Sequence, residues 1–324
     1  SETTPDAVHT LTPDNIVALE IAMRISAVIS LAASMVIIIS YIKWRHLRTC
    51  VNKLVVYMSI SDSLASIAFF AGRWPLESNI MPICFLQGFL LHAFVSASIL
   101  WTVAIAFTLY LIVGKRKNED YIRKCEKYFH GLVWGIPLIV SIFLASFKGF
   151  GDSVLWCWIS PSRPVFQLSL FYVPLWVIFC ANIVFYAIVG VELWRITRYG
   201  SSRHRSEDSK RLKLYIRNTA LYLGVIVIVW LPASINRIYH MFRSDDIFFL
   251  YLLHSIFSPL HGFLNFLVYY FTTIWNRRNT RGESRVTTGA EAYGNIYMPT
   301  IEYQQNDAKP YSYDPSYGTV PLDN

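Results

Sequence analysis

The sequence predicts an all-α membrane protein, a bundle of seven transmembrane helices with its N-terminus outside the cell and its C-terminus in the cytosol. Two observations support this prediction. The 324-residue chain is 54% hydrophobic and only 15% charged, whereas about a quarter of the residues in a soluble domain are charged. The charges are also clustered, so that long uncharged stretches alternate with short basic ones.

The uncharged stretches are long enough to cross a bilayer. A hydrocarbon core about 30 Å thick needs roughly 20 apolar helical residues, and backbone groups in lipid have to pair within their own segment, which favours helices. A first span is expected to begin near Asn15 and to hold Glu20 and Arg24, which can neutralise each other at their i,i+4 spacing. The other six spans are predicted at 54–72, 83–114, 128–147, 164–191, 218–236 and 247–276.

Lysine and arginine predict the orientation and the domain limits. Of the 29 in the chain, 22 lie in four segments: 41–53, 114–127, 195–217 and 277–285. The positive-inside rule assigns these segments to the cytosol. We therefore expect a short extracellular segment at 1–14, a membrane domain at 15–275 and a cytosolic tail at 276–324 that is mostly disordered. Because the basic segments flank apolar helices, the expected partners are membrane lipids and not a nucleic-acid polymer.

The five cysteines fall on different sides of this predicted membrane. Cys50 and Cys125 lie in cytosolic segments, where thiols stay reduced, and Cys180 lies within span five. Cys84, at the outer end of span three, and Cys157, in the second outer loop, face the oxidising side. We expect a disulfide between them that holds the loop over the mouth of the bundle; two free buried thiols are the alternative.

Polar and charged residues near the outer ends of the spans predict a ligand site. Ionisable side chains at membrane depth are costly, which makes them functional candidates. Arginine binds anionic oxygens through charge-assisted hydrogen bonds, so the expected ligand is small and anionic and lies beneath the loop of Cys157. The alternative is that Arg73 and Arg237 reach out to lipid headgroups. The predicted ligand-binding residues are Arg73, His92, Trp158, Asn236, Arg237, His240 and His254.

Inside the bundle, Asp62 lies at mid-depth in span two and has to face the interior, with Asn265 of span seven as its expected partner. The pair is either a switch element or a packed polar contact. In span six, Trp230 and Pro232 belong to the motif "WLP" and are further predicted switch or packing residues. Proline removes a backbone hydrogen bond and kinks helices, so Pro232 is a predicted hinge.

Three further expectations concern packing. Pro259 should kink span seven as Pro232 does span six. Trp156 and Trp158, on either side of Cys157, are expected at the membrane interface, where amphipathic rings concentrate. The stretch "GLVWG" at 131–135 has small residues at the spacing that permits close helix packing.

Three stretches resemble the cyclic-AMP receptor family of slime moulds and its fungal and protist relatives among the G-protein-coupled receptors: "SILWTVAIAFTLY" at 98–110, "LWCWIS" at 155–160 and "LPASINRIYHMF" at 231–242. The resemblance implies a multi-pass receptor of the plasma membrane that senses an extracellular ligand and activates a heterotrimeric G protein, with neither enzymatic activity nor a cofactor. Span three ends in "TLYLIVGKRKN" and lacks the acidic-Arg-aromatic triplet of rhodopsin-like receptors.

The cytosolic ends of spans three, five and six are the expected contacts of the G protein. Their basic residues cluster beside the predicted hinge; the alternative is that they serve the membrane topology alone. The predicted coupling residues are Tyr110, Lys115, Arg116, Arg195, Arg198 and Lys213.

Other classes of seven-span protein require residues that can be looked for in the sequence. A retinal protein needs a lysine in span seven, and 247–276 contains none. His254 and His261 are separated by about 10.5 Å along a helix, too far to share a zinc ion with bonds of about 2.0–2.1 Å, so no metal site is expected. A transporter or channel stays an alternative, as does a nutrient-sensing receptor with a non-nucleotide ligand.

Overall fold

The computed structural model describes residues 11–199, 205–243 and 246–275, so the predicted tail at 276–324 and most of the segment at 1–14 lie outside the described residues. The helices run α1 (Pro13–Lys43), α2 (Cys50–Phe70), α3 (Trp74–Glu77), α4 (Met81–Leu109), α5 (Glu119–Ser146), α6 (Pro164–Gln167), α7 (Val173–Tyr199), α8 (Arg205–Phe242), α9 (Phe248–Phe257) and α10 (His261–Tyr269). A 3₁₀ turn lies at Arg45–Leu47, and π-helical turns lie at Tyr110–Gly114, Leu168–Tyr172 and Tyr270–Trp275.

Helix starts follow from local capping. The Thr12 hydroxyl accepts the N–H of Asn15 at 3.2 Å, which satisfies one of the free donors of the first turn. α1 therefore begins at Pro13, two residues before the start expected near Asn15. Thr49 and Asn118 cap α2 and α5 in the same way.

The helical passes agree with the seven predicted spans. Six helical segments of the described chain are long and apolar enough to cross a membrane: Pro13–Lys43, Cys50–Glu77, Met81–Gly114, Glu119–Ser146, Pro164–Glu192 and Ala220–His240. The seventh pass is divided into α9 and α10 by a turn that contains Pro259, as expected of a proline that cannot continue the hydrogen-bond ladder. Pro232, in contrast, lies inside the continuous α8.

A two-stranded hairpin covers one end of the bundle. β1 (Phe150–Asp152) pairs antiparallel with β2 (Cys157–Ile159), so that Phe150 faces Ile159 and Asp152 faces Cys157. We call residues 150–159 the lid, the end they cover the lid end, and the other end the opposite end. Cys157 is bonded to Cys84 at the start of α4, which confirms the predicted disulfide.

Two packing expectations were wrong. Trp156 and Trp158 are only 4% and 6% exposed; they point into the bundle because the hairpin folds inward, and they do not lie at a membrane interface. Gly131 and Gly135 of "GLVWG" make no close approach, since a Cβ added at either would meet nothing within 4 Å.

Candidate functional site

A small aromatic cavity, which we call the lid cavity, lies directly under the lid. Its lining is mostly aromatic and aliphatic: Phe69, Leu91, Val95, Trp156, Trp158, Phe171, Tyr172, Trp230 and His254. About 20 Å³ is open to the centre of a water molecule, which is little more than one water requires. A ligand larger than a few atoms therefore needs the cavity to widen.

The two lid tryptophans fill most of this space. The Trp156 ring stands edge-on to Phe69 at 4.9 Å and to His254 at 5.2 Å between centroids. The Trp158 ring stands edge-on to Phe171 at 4.9 Å. Such edge-to-face contacts are favoured by the ring quadrupoles, so the lid is held down by its own side chains as well as by the disulfide.

Arg237 of α8 is the buried cation beside this cavity. It is 6% exposed, its guanidinium carbon lies 5.8 Å from the Trp158 ring centre, and Nη2 donates to the hydroxyl of Ser153 at 3.0 Å. Its Nε has no hydrogen-bond partner in the described part of the chain. Among the described residues, no carboxylate oxygen lies within the 4.0 Å of a salt bridge to it, which is unusual because buried charges are normally paired.

The neighbouring Asn236 is also buried, and it connects to His254. Asn236 Nδ2 lies 3.4 Å from His254 Nδ1, while Asn236 Oδ1 has no partner within the described part of the chain. Trp158, Asn236, Arg237 and His254 are therefore the predicted ligand residues that the structure does bring together.

Two other predicted residues already face carboxylates. Arg73 pairs with Asp152 of the lid at 3.3 Å and also donates to the carbonyl of Val154. His240 lies 3.7 Å from Asp246. Neither side chain is part of the lining of the lid cavity, and Arg237 and Asn236 lie beside the cavity without lining it. The cavity therefore does not have the continuous positive lining expected from the sequence.

His92 lies deeper, at the contact of α4 with α5. Its Nδ1 is 2.9 Å from the Ser141 hydroxyl, and its Nε2 is 3.4 Å from the Leu170 carbonyl. Both ring nitrogens thus face protein groups, and the side chain is 1% exposed. These contacts are those of a packed interior histidine.

Gln87 fastens the lid to the helices, and sequence reasoning missed it. Its Nε2 donates to the carbonyls of Ala68 and Gly72, both at 2.9 Å, and its Oε1 accepts the N–H of Cys157 at 3.2 Å. The available signal was that Gln87 is the sole carboxamide in the uncharged stretch 83–114. Buried amides are almost always fully hydrogen-bonded.

Below the lid cavity, Asp62 is the centre of a polar cluster. Oδ2 accepts from Asn265 Nδ2 at 2.8 Å, and Oδ1 accepts from the Ser98 hydroxyl at 2.5 Å. His261 Nδ1 lies 3.2 Å from Oδ1. The expected contact with Asn265 is present; His261 was missed, although its i,i+4 spacing from Asn265 places both on one helix face.

A second cavity adjoins this cluster. It is lined by Ser30, Asp62, Ala65, Ser66, Phe69, Val95, Trp230, Ser258, Pro259, His261 and Gly262. It shares Phe69, Val95 and Trp230 with the lid cavity. Trp230, predicted as a packing or switch residue, therefore lies between the two, and its ring is 5.2 Å from Phe171 and 6.3 Å from His261.

At the opposite end, three of the predicted coupling residues are exposed and Tyr110 is half-buried. Lys115 and Arg116 are exposed, and Lys115 Nζ lies 5.7 Å from the ring centre of Tyr110, within the π-helical turn. Arg195 is 64% exposed and 3.7 Å from Glu192. The side chains of the two remaining predicted coupling residues, Arg198 and Lys213, lie outside the described residues.

A polar cluster between α2 and α5 near this end was not predicted. Glu126 Oε1 lies 2.6 Å from Lys53 Nζ and accepts from the Tyr57 hydroxyl at 2.9 Å. His130 Nε2 is 3.7 Å away. The other ring nitrogen of His130, Nδ1, accepts from Trp134 Nε1 at 3.2 Å, so the neutral ring carries its proton on Nε2, toward Glu126.

Across the described residues, no three His, Cys, Asp or Glu side chains converge in a way that would hold a metal.

Comparison with known proteins decides the family. Residues 10–283 match the family described as slime mold cyclic AMP receptor. The chain belongs to this family. It is a multi-pass membrane protein and a receptor of the G-protein-coupled type.

Relatives of the receptor extend beyond slime moulds. It is 31% identical over 257 residues to cyclic AMP receptor-like protein A of Dictyostelium discoideum, a match that covers 79% of this chain but 65% of the relative. It is 31% identical over 252 residues to G-protein coupled receptor 1 of Arabidopsis thaliana, covering 76% and 75%. Cyclic AMP receptor 1 of Dictyostelium discoideum is 26% identical over 240 residues, covering 73% and 58%.

The fold of the receptor is shared with squid rhodopsin. The crystal structure of that protein superposes with a TM-score of 0.62 at 17% sequence identity, covering 90% of each chain. At this identity the similarity establishes the seven-helix fold and says nothing about the ligand.

Proposed function

We propose that the receptor senses a small anionic ligand beneath the lid, outside the cell, and activates a heterotrimeric G protein at the cytosolic face of the plasma membrane. Arg237 is the observation on which this proposal rests. Its guanidinium keeps its charge in proteins, it is 6% exposed, and it faces a serine hydroxyl and an indole ring. An anion at this position would provide the missing countercharge.

The distribution of charge supports the orientation. The segments that join the helices at the opposite end hold most of the Lys and Arg of the chain, as cytosolic loops do. The Cys84–Cys157 disulfide lies at the other end, and structural disulfides persist in oxidising compartments. Both features favour a lid that faces the outside.

The lining of the lid cavity favours a ligand with a flat ring. Trp156, Trp158 and Phe171 present aromatic faces or edges, and nucleobases stack on such side chains. Two of the relatives are named for cyclic AMP, which combines a flat base with one negative charge. A cyclic nucleotide is much larger than the open space under the lid, so its binding would require the lid or α8 to move.

The opposite end supports coupling to a partner. Lys115, Arg116 and Arg195 are exposed there, and positively charged surfaces speed association with acidic partners. α8 joins the two ends, since it runs for 38 residues from Arg205 to Phe242. It carries Arg237 beside the lid and Pro232 about 1.4 turns earlier in the helix. A shift of α8 on ligand binding would therefore be transmitted along one helix.

Binding of cyclic AMP to the purified receptor, read together with nucleotide exchange on a G protein, tests the proposal. Arg237→Ala should weaken binding about ten- to a hundredfold, the cost of one lost charge-assisted contact. Arg243→Ala removes an exposed arginine from the end of the same helix and should leave binding unchanged. Equal affinity in Arg237→Ala and the parent, with both proteins folded, would overturn this assignment.

A further inference from the structure

The tip of the lid, residues 153–156, already contacts the groups that the proposed site would offer to a ligand. The Ser153 hydroxyl accepts the hydrogen bond of Arg237 Nη2 at 3.0 Å. Ser153 is only 2% exposed, although it belongs to the turn of a hairpin, where residues normally face solvent. Its oxygen therefore stands where an anionic oxygen would stand.

The indole of Trp156 is part of the lining of the lid cavity. Its ring lies between Phe69 of α2 and His254 of α9, at 4.9 Å and 5.2 Å between centroids. It reaches this place because the tip turns inward: Ser153 N–H donates to the Trp156 carbonyl at 3.0 Å. One short tip thus supplies both a hydroxyl on Arg237 and a flat ring in the lining of the lid cavity.

The tip is held in this position under backbone strain. Val154 has a φ of 72°, a left-handed conformation that β-branched residues rarely adopt. Two lid-end contacts hold it there: the Asp152 carboxylate accepts the Val154 N–H at 2.8 Å, and Arg73 donates to the Val154 carbonyl. Release of the tip would relieve this strain.

The strands of the lid have anchors besides the tip contacts. The disulfide ties Cys157 to α4, and Gln87 accepts the Cys157 N–H while it bonds α2 carbonyls. The inward turn of residues 153–156 thus adds an occupant to the cavity and is not the sole anchor of the hairpin.

We infer that the lid tip is a built-in occupant of the ligand site: the Ser153 hydroxyl takes the place of an anionic oxygen on Arg237, and the Trp156 indole takes the place of a flat ring. The ligand class that follows is a planar ring compound that bears an anionic oxygen, and such a ligand binds by displacing the tip. This inference rests on the proposed function, because it assigns the anion to Arg237.

The test compares three probes on the full receptor in phosphatidylcholine nanodiscs: cyclic AMP, which has both ring and anion; adenosine, which has the ring alone; and ribose 5-phosphate, which has the anion without a flat ring. Ser153→Ala removes the competing acceptor, so cyclic AMP should bind about two- to tenfold more tightly. Trp156→Ala should raise the affinity for cyclic AMP and adenosine, which carry the flat base, and not for ribose 5-phosphate. Ser160→Ala, which changes a half-buried serine directly after the lid, is the matched control.

The outcomes separate the two proposals. If Arg237→Ala loses cyclic AMP while Ser153→Ala binds it no more tightly than the parent, the lid tip is not a competitor and this inference is wrong, whereas the proposed function stands. If Arg237→Ala binds cyclic AMP unchanged, the proposed function fails first. If neither the parent nor either tip variant binds any of the three probes, the proposed ligand class, a planar ring compound with an anionic oxygen, is wrong. Thermal melting of each variant shows whether it is folded.

Discussion

Asn265 donates a hydrogen bond of 2.8 Å to Asp62, which lies 203 positions earlier in the chain. The bond joins α10 to α2 in the interior, and Ser98 of α4 and His261 of α10 converge on the other carboxylate oxygen. One carboxylate therefore holds three of the seven passes together. It also lines the second cavity, together with Trp230.

Asp62→Ala should destabilise the receptor, because it leaves the buried donors of Ser98 and Asn265 without an acceptor. Each such loss costs about 1–3 kcal/mol. The measurement is thermal unfolding of the purified protein in detergent. Glu77→Ala, which removes an exposed carboxylate at the lid end, should melt like the parent. An unchanged melting temperature for Asp62→Ala would show that the cluster contributes little to folding.

Gly72→Ala and Gly190→Ala should have opposite effects. Gly72 has a φ of 58°, and a Cβ there would lie 2.7 Å from Glu20 Oε1, an atom already held by Arg24 at 2.6 Å. Strain of this kind costs about 1–3 kcal/mol. Around Gly190, inside α7, no atom of the described residues lies within 4 Å of an added Cβ, apart from the backbone of the same helix, so alanine should stabilise the helix by roughly 0.5–1 kcal/mol. Melting temperatures that move in the same direction would contradict this account.

Tyr57→Phe should lower stability by about 1 kcal/mol, because it removes a hydrogen bond to a charged, half-buried acceptor, Glu126. A double-mutant cycle with Glu126→Gln should show that the two losses are not additive. Tyr128→Phe on α5, where the ring is 73% exposed, should be neutral. Fully additive losses would mean that the two side chains act independently.

Replacement of Arg195, Arg198 and Lys213 by Gln should impair nucleotide exchange on the G protein while the receptor stays at the cell surface. The reason is the loss of positive charge at the proposed contact. The matched control is Arg163→Gln together with Arg243→Gln, which removes charge from the lid end. Normal exchange by the triple variant would mean that these residues serve topology alone.

Much of the site could be predicted from residue type alone. Arg237, Asn236 and His254 are polar groups in an apolar segment, and the cost of placing them in lipid turns them inward. Their neighbours could not be predicted in the same way. Ser153 and Gln87 are common, uncharged residues whose importance depends on what lies opposite, and nothing in their local sequence indicates that a cation or a lid strand meets them.

The sequence by itself determined the number of helical passes, the disulfide and the contact of Asp62 with Asn265. Each follows from a local rule: backbone groups in lipid pair within their own segment, a cysteine finds its partner on the oxidising side, and a buried carboxylate needs a donor. Only the tertiary structure decided which of the two arginines faces a carboxylate and which faces a hydroxyl. Arg73 meets Asp152 and Arg237 meets Ser153, and these partners are brought together by the inward fold of the lid, because electrostatic pairing depends on distance in space and not on separation along the chain.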